Sequence, residues 1–112
     1  DVENSNYKNA INAKNYIIKQ FIDAFNKYDI LLAPTTPKTA TSFDDTTETD
    51  IFLTSANLTG IPSISIPCGF TKNNMPVGMQ LIGNYLKDDL ILNTAIQFQK
   101  STDFHLKRPN IM

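Results

Sequence analysis

At 112 residues the chain has room for one domain and one core, and its 41% hydrophobic and 19% charged residues exclude an intrinsically disordered composition. Ten basic residues against eleven acidic ones give a net charge of −1, which excludes a dedicated nucleic-acid surface built on a basic excess. A single cysteine, Cys68, excludes an internal disulfide, and no apolar run reaches the roughly 18–20 residues of a membrane span.

Residues 6–28 open the readable pattern. Ile11, Ile18, Phe21, Ile22 and Phe25 fall at helical spacing, with Lys8, Lys14, Lys19, Asp23 and Lys27 mostly on the other side, which predicts a helix with one apolar face. Residues 29–33 (Asp-Ile-Leu-Leu-Ala) form a short continuous apolar run closed by Pro34 and Pro37, the pattern of a central strand buried on both faces. Residues 35–49 are rich in Thr, Asp and Pro and read as a long exposed loop. Apolar character returns over 50–58, where a short helix is the preferred reading, capped by Thr49, with Asp50 in its first turn and Gly60 just past its end. Its β-branched and aromatic content keeps a strand as the alternative. Residues 62–67 enclose the alternating Ser63-Ile64-Ser65-Ile66, a half-buried strand, and residues 77–82 resume strand character after the turn-like Asn73-Asn74, so the two can pair as a hairpin. Residues 88–102 predict a second long helix with two acids in its first turn and Leu92, Ala95, Ile96 and Gln99 on one face. The tail, 103–112, carries His105, and Pro109 stops any further helix. The order is mixed α/β, and composition points to a soluble protein of a reducing compartment. The chain opens on Asp1 rather than Met, as an excised segment or a processed product would.

No self-sufficient active site is visible. Ser63, Ser65, Asp103 and His105 supply the residue types of a Ser-His-Asp set, but no G-x-S-x-G elbow surrounds either serine and both lie in a strand pattern. Cys68, between Pro67 and Gly69, reads as a buried small residue at a strand end rather than a nucleophile. Zinc-ligand spacing and the G-x-x-x-x-G-K phosphate loop are both missing from the sequence.

One stretch is specific. Asn57-Leu58-Thr59-Gly60-Ile61-Pro62-Ser63-Ile64-Ser65-Ile66-Pro67-Cys68-Gly69-Phe70, followed by Met75-Pro76-Val77-Gly78-Met79-Gln80-Leu81-Ile82-Gly83, closely resembles the C-terminal part of the amidase signature family. Tyr28-Asp29-Ile30-Leu31-Leu32-Ala33-Pro34-Thr35-Thr36-Pro37 resembles the strand by which that family enters its C-terminal region. Phe98-Gln99-Lys100-Ser101-Thr102-Asp103-Phe104-His105 and Arg108-Pro109 resemble the ending of its tRNA-dependent amidotransferase members.

The resemblance implies that residues 1–112 are one C-terminal segment of an amidase signature domain, α/β with a mixed sheet flanked by helices. It implies a glutamine-hydrolysing subunit whose ammonia passes to a partner subunit that amidates tRNA-linked glutamate with ATP and magnesium. No cofactor is expected in this chain, tRNA is met only indirectly, and the setting is cytoplasmic, or organellar in a eukaryote. The family's nucleophilic serine, second serine and lysine lie in a Gly/Ser-rich region that nothing here matches, so no catalytic residue carries over and the chain alone is expected to be inactive. One substrate contact does carry over: an acid seven positions before the motif's Asn57, which is Asp50, facing the α-amino group of glutamine. A carboxylate opposite an ammonium makes a charge-assisted hydrogen bond and rejects amides that lack the ammonium. The plain alternative is a helix-start acid stabilised by the dipole. Gln80 reads as a satisfied core amide. Another amidase of the family, or a non-catalytic interaction module, are the alternative identities, and an isolated segment with uncovered strands is expected to self-associate.

Overall fold

The structure is a computed structural model that describes residues 2–45 and 51–109. Helix α1 spans Val2–Phe25, strand β1 Ile30–Pro34, helix α2 Thr54–Thr59, strand β2 Ser63–Phe70, strand β3 Pro76–Gly83 and helix α3 Asp88–Ser101, with a 3₁₀ turn at Phe104–Leu106. The periodic helix, the hairpin and the second long helix are all present. The expected α/β class holds, with every strand contact antiparallel.

The three strands lie in the order β1-β3-β2, so β3 is central. β1 is therefore an edge strand and not the doubly buried strand its apolar run suggested. Among the described residues it pairs only with β3, and Leu32, opposite Leu81, is 67% exposed. β2 and β3 form the hairpin through residues 71–75, where Asn74 adopts φ 58°, a left-handed conformation that asparagine tolerates. The Thr71 N–H donates to the Met75 carbonyl at 2.9 Å and closes the turn. A bulge between Pro67 and Gly69 interrupts the ladder. Proline lacks a ladder donor, and an edge-strand bulge is where that loss is tolerated.

Helix α3 packs on one face of the sheet. Ile66, Leu81, Ile91 and Ala95 are buried together, with Ile30, Ile64, Met79 and Phe98 packed around them. The buried stripe thus runs Ile91, Ala95, Phe98, one row over from the expected 92-95-96-99 face; Leu92 and Ile96 are about half exposed on the flank. Both rows satisfy helical periodicity, and the sheet meets only one of them. Gly83 is the close-approach point, since a Cβ there would lie 2.8 Å from Ile91 Cγ2.

Helix α2 is shorter than its sequence pattern suggests. It starts at Thr54, and Leu53 stands at its N-cap without a side-chain cap bond. The expected cap, Thr49, lies outside the described residues and too far before Thr54 to cap this helix. The C-terminal end matches expectation: Gly60 takes φ 74°, where a side chain is strained, and its N–H returns to the Ala56 carbonyl at 2.9 Å. α2 packs against α1, whose apolar face stays half-covered, with Ile22 53% exposed.

Candidate functional site

The strand register sets the polar face of the sheet. Ser65 and Ala33 both pair with Gln80, so all three side chains share the face opposite α3. On that face the hydroxyls of Thr35 and Ser65 hydrogen-bond each other at 2.6 Å across Gly78, where an added Cβ would meet Thr35 Oγ1 at 2.8 Å and Ser65 Oγ at 3.2 Å. The absence of a side chain at Gly78 is what lets the two hydroxyls meet. Gln80, beside them, is 2% exposed, and its Oε1 has no hydrogen-bond partner among the described residues. The amide is in the core as expected, but its oxygen is not satisfied by any described residue. A hollow of about 380 Å³ opens next to Gly78, between the 34–39 segment and the start of β3.

The residues of the hypothetical triad are not assembled. Ser65 bonds Thr35, and Asp103 is held by Lys107, whose Nζ lies 2.7 Å from Asp103 Oδ2. That hydrogen bond, with the ammonium charge behind it, lowers the Asp103 carboxyl below its ordinary 3.8. His105 Nδ1 is shielded from solvent and has no partner among the described residues. Cys68 is half-buried within β2 at the bulge, inside the strand rather than at its end. Asp50, the one substrate contact expected from sequence, lies outside the described residues. α2 begins at Thr54, four positions further along the chain.

A larger cleft, of about 630 Å³, lies at the hairpin-turn end of the sheet and was not anticipated from sequence. Pro67, Phe70 and Pro76 of the hairpin form one part of its lining, and Phe104, His105 and Arg108 of the tail the other. Phe70 and Phe104 meet with ring centroids 6.3 Å apart, which ties tail to hairpin. Thirty-four positions separate them in sequence, so no local pattern announces the cleft.

An antiparallel hairpin with a Pro-bulged edge, its glycine-seated hydroxyl pair and the cross-packed α3 together carry the motif residues that the sequence resemblance rested on. The chain belongs to the amidase family, whose profile matches residues 1–92. Its relatives within that family are more particular. Over 94% of its length the chain is 38% identical to the A subunit of the glutamyl-tRNA(Gln) amidotransferase of Listeria welshimeri, and over 92% it is 41% identical to the same protein of Prochlorococcus marinus. The crystal structure of the corresponding protein from Thermotoga maritima matches 88% of the chain with a TM-score of 0.82 at 32% identity. In each comparison the chain spans 23% of the relative's own length, and the matching stretch is the relative's C-terminal part.

Proposed function

We propose that this chain is the C-terminal portion of the glutamine-hydrolysing subunit of a tRNA-dependent amidotransferase. The observation that carries the reading is the 38–41% identity to that enzyme's A subunit over more than nine-tenths of the chain. In this reading the intact protein releases ammonia from glutamine, and a partner subunit, using ATP and magnesium, converts Glu-tRNA(Gln) to Gln-tRNA(Gln). This segment supplies no nucleophile: of the two strand serines, Ser63 is exposed and Ser65 is bonded to Thr35, and the Ser-Ser-Lys set belongs to the preceding region of the fold. Its contribution to chemistry is Asp50, whose carboxylate receives the α-ammonium of glutamine. The proposed setting is cytoplasmic or organellar; among the described residues no helix is long and apolar enough to cross a membrane.

The test is Asp50→Asn in the intact enzyme. The substitution keeps size and hydrogen bonding but removes the charge facing the ammonium, and a charged hydrogen bond is worth about 1.5–3 kcal/mol. Glutamine-dependent kcat/KM should fall roughly ten- to a hundredfold, while ammonia supplied directly still supports amidation of the tRNA-linked glutamate. Wild-type glutamine kinetics would assign Asp50 a structural role only. Loss of the ammonia-dependent reaction as well would show a folding defect, which circular dichroism of the variant identifies. The 112-residue chain by itself should release no ammonia from glutamine above a buffer control.

A further inference from the structure

The cleft at the hairpin-turn end of the sheet is lined by none of Thr35, Ser65 and Gly78, although Pro76 borders both it and the hollow beside Gly78. Its volume of about 630 Å³ lies within the range of ligand sites, about 300–1,000 Å³. On the hairpin side Asn74 is the one polar residue of the lining, and Pro67, Phe70 and Pro76 have few rotamers to lose when something binds.

The tail side adds one preorganised cation. Arg108 Nη1 donates to the carbonyl oxygens of His105 at 2.9 Å and Lys107 at 3.0 Å, so the guanidinium is held by the backbone it follows. Those bonds engage one of its three nitrogens, and a guanidinium fixed in this way still presents a fork for a carboxylate. Lys107, the other cation, is neutralised by Asp103. Across 103–109 the formal charge is two cations less one acid, a surplus of one. His105, whose Nδ1 lacks a partner among the described residues, lies beside Arg108 in the lining.

We propose that this cleft is a docking site for an acidic segment of a partner protein, with one Glu or Asp carboxylate on Arg108 and an adjacent apolar side chain between Phe70 and Phe104. The charge balance selects a peptide over a nucleic acid. A phosphate chain gains its affinity by pairing with several cations, and among the described residues this cleft offers one available cation set among aromatic and proline side chains. The site is independent of the glutaminase reading, because it uses neither Asp50 nor the polar strip.

The test uses the full-length protein and two fluorescein-labelled peptides, Gly-Ser-Phe-Glu-Leu-Ser-Gly and its Glu-to-Gln counterpart, titrated to millimolar concentration by fluorescence anisotropy. Arg108→Gln is the variant, chosen because Arg108 is exposed and its loss leaves the packed core intact. The Glu peptide should bind the wild type at least fivefold more tightly than the Gln peptide, and Arg108→Gln should erase that difference. A ten-nucleotide RNA should compete less well than the Glu peptide. Equal binding of the two peptides, a preference that survives Arg108→Gln, no binding of either, or stronger competition by the RNA would each overturn the proposal. Glutamine hydrolysis by Arg108→Gln should be unchanged, so failure here and failure at Asp50 are separately readable.

Discussion

Gln80 sits where the sheet bears a cost that the chain does not recover by itself. A buried acceptor without a donor costs about 1–3 kcal/mol, and because Gln80 Oε1 has no partner among the described residues, removing it leaves no donor unpaired. Gln80→Met in the 112-residue chain should therefore leave stability unchanged or raise it by up to about 1–3 kcal/mol in urea unfolding. A loss of more than about 1 kcal/mol would mean that the amide makes a compensating bond. Asp103 supports a second measurement at this scale. Lys107 stabilises the carboxylate form, so the folded carboxyl titrates below its unfolded value of 3.8. Whatever the pair contributes is present above the unfolded value and is lost as pH falls through the folded one. The pair is solvent-exposed, so the effect belongs in the titration rather than in the melting temperature. A carbon-detected NMR titration should place the Asp103 midpoint below that found in Lys107→Met. Single residues were legible in sequence only to the extent that strand alternation fixes them. It put Ser65 on a face, but the pairing of its hydroxyl with Thr35, a partner thirty positions away, leaves no local signal.

At the scale of elements, the contact that fixes α3 on the sheet is the seat of Ile91 on Gly83. A methyl at Gly83 would lie 2.8 Å from Ile91 Cγ2 and 3.3 Å from the Lys87 carbonyl oxygen, so the helix start would have to lift. Gly83→Ala should cost about 1–3 kcal/mol, the usual penalty for overpacking a core. Ile91→Leu removes the branch at Cβ, and with it the Cγ2 methyl, and should recover part of that loss, with a coupling of at least about 0.5 kcal/mol in a double-mutant cycle of melting curves. Strict additivity would show that the crowding is with the Lys87 backbone instead. The long helices and the hairpin were legible because amphipathic periodicity and strand alternation are local signals. The place of β1 was not, since a continuous apolar run says only that a strand avoids water and not which neighbours it has. Here it pairs on one side, and Leu32 shows what a second neighbour would cover. The start of α2 was missed for a different reason: 51–53 form a turn without a side-chain cap, so the cap-like Thr49 misled.

For the molecule as a whole, the controlling quantity is surface. The radius of gyration is 17.1 Å, where about 13 Å is usual for a compact chain of this length, and the extents are 57 × 38 × 18 Å. The accessible area is 8649 Å², against about 6,200 Å² for a folded monomer of this mass. The excess includes the apolar side of α1 and the outer rim of β1, and both β1 and β2 present an unpaired sheet edge among the described residues. Exposed edges and apolar patches of this kind favour pairing with another chain, and a net charge of −1 opposes it weakly. The isolated 112-residue chain should therefore sediment as a dimer or larger species at micromolar concentration. Leu32→Lys, which puts a charge on β1 at an exposed position opposite Leu81, should shift that distribution toward monomer. A sharp monomer at all concentrations would show that the segment hides this surface within itself. It would also count against the reading that these faces are normally covered by the rest of a larger amidase fold.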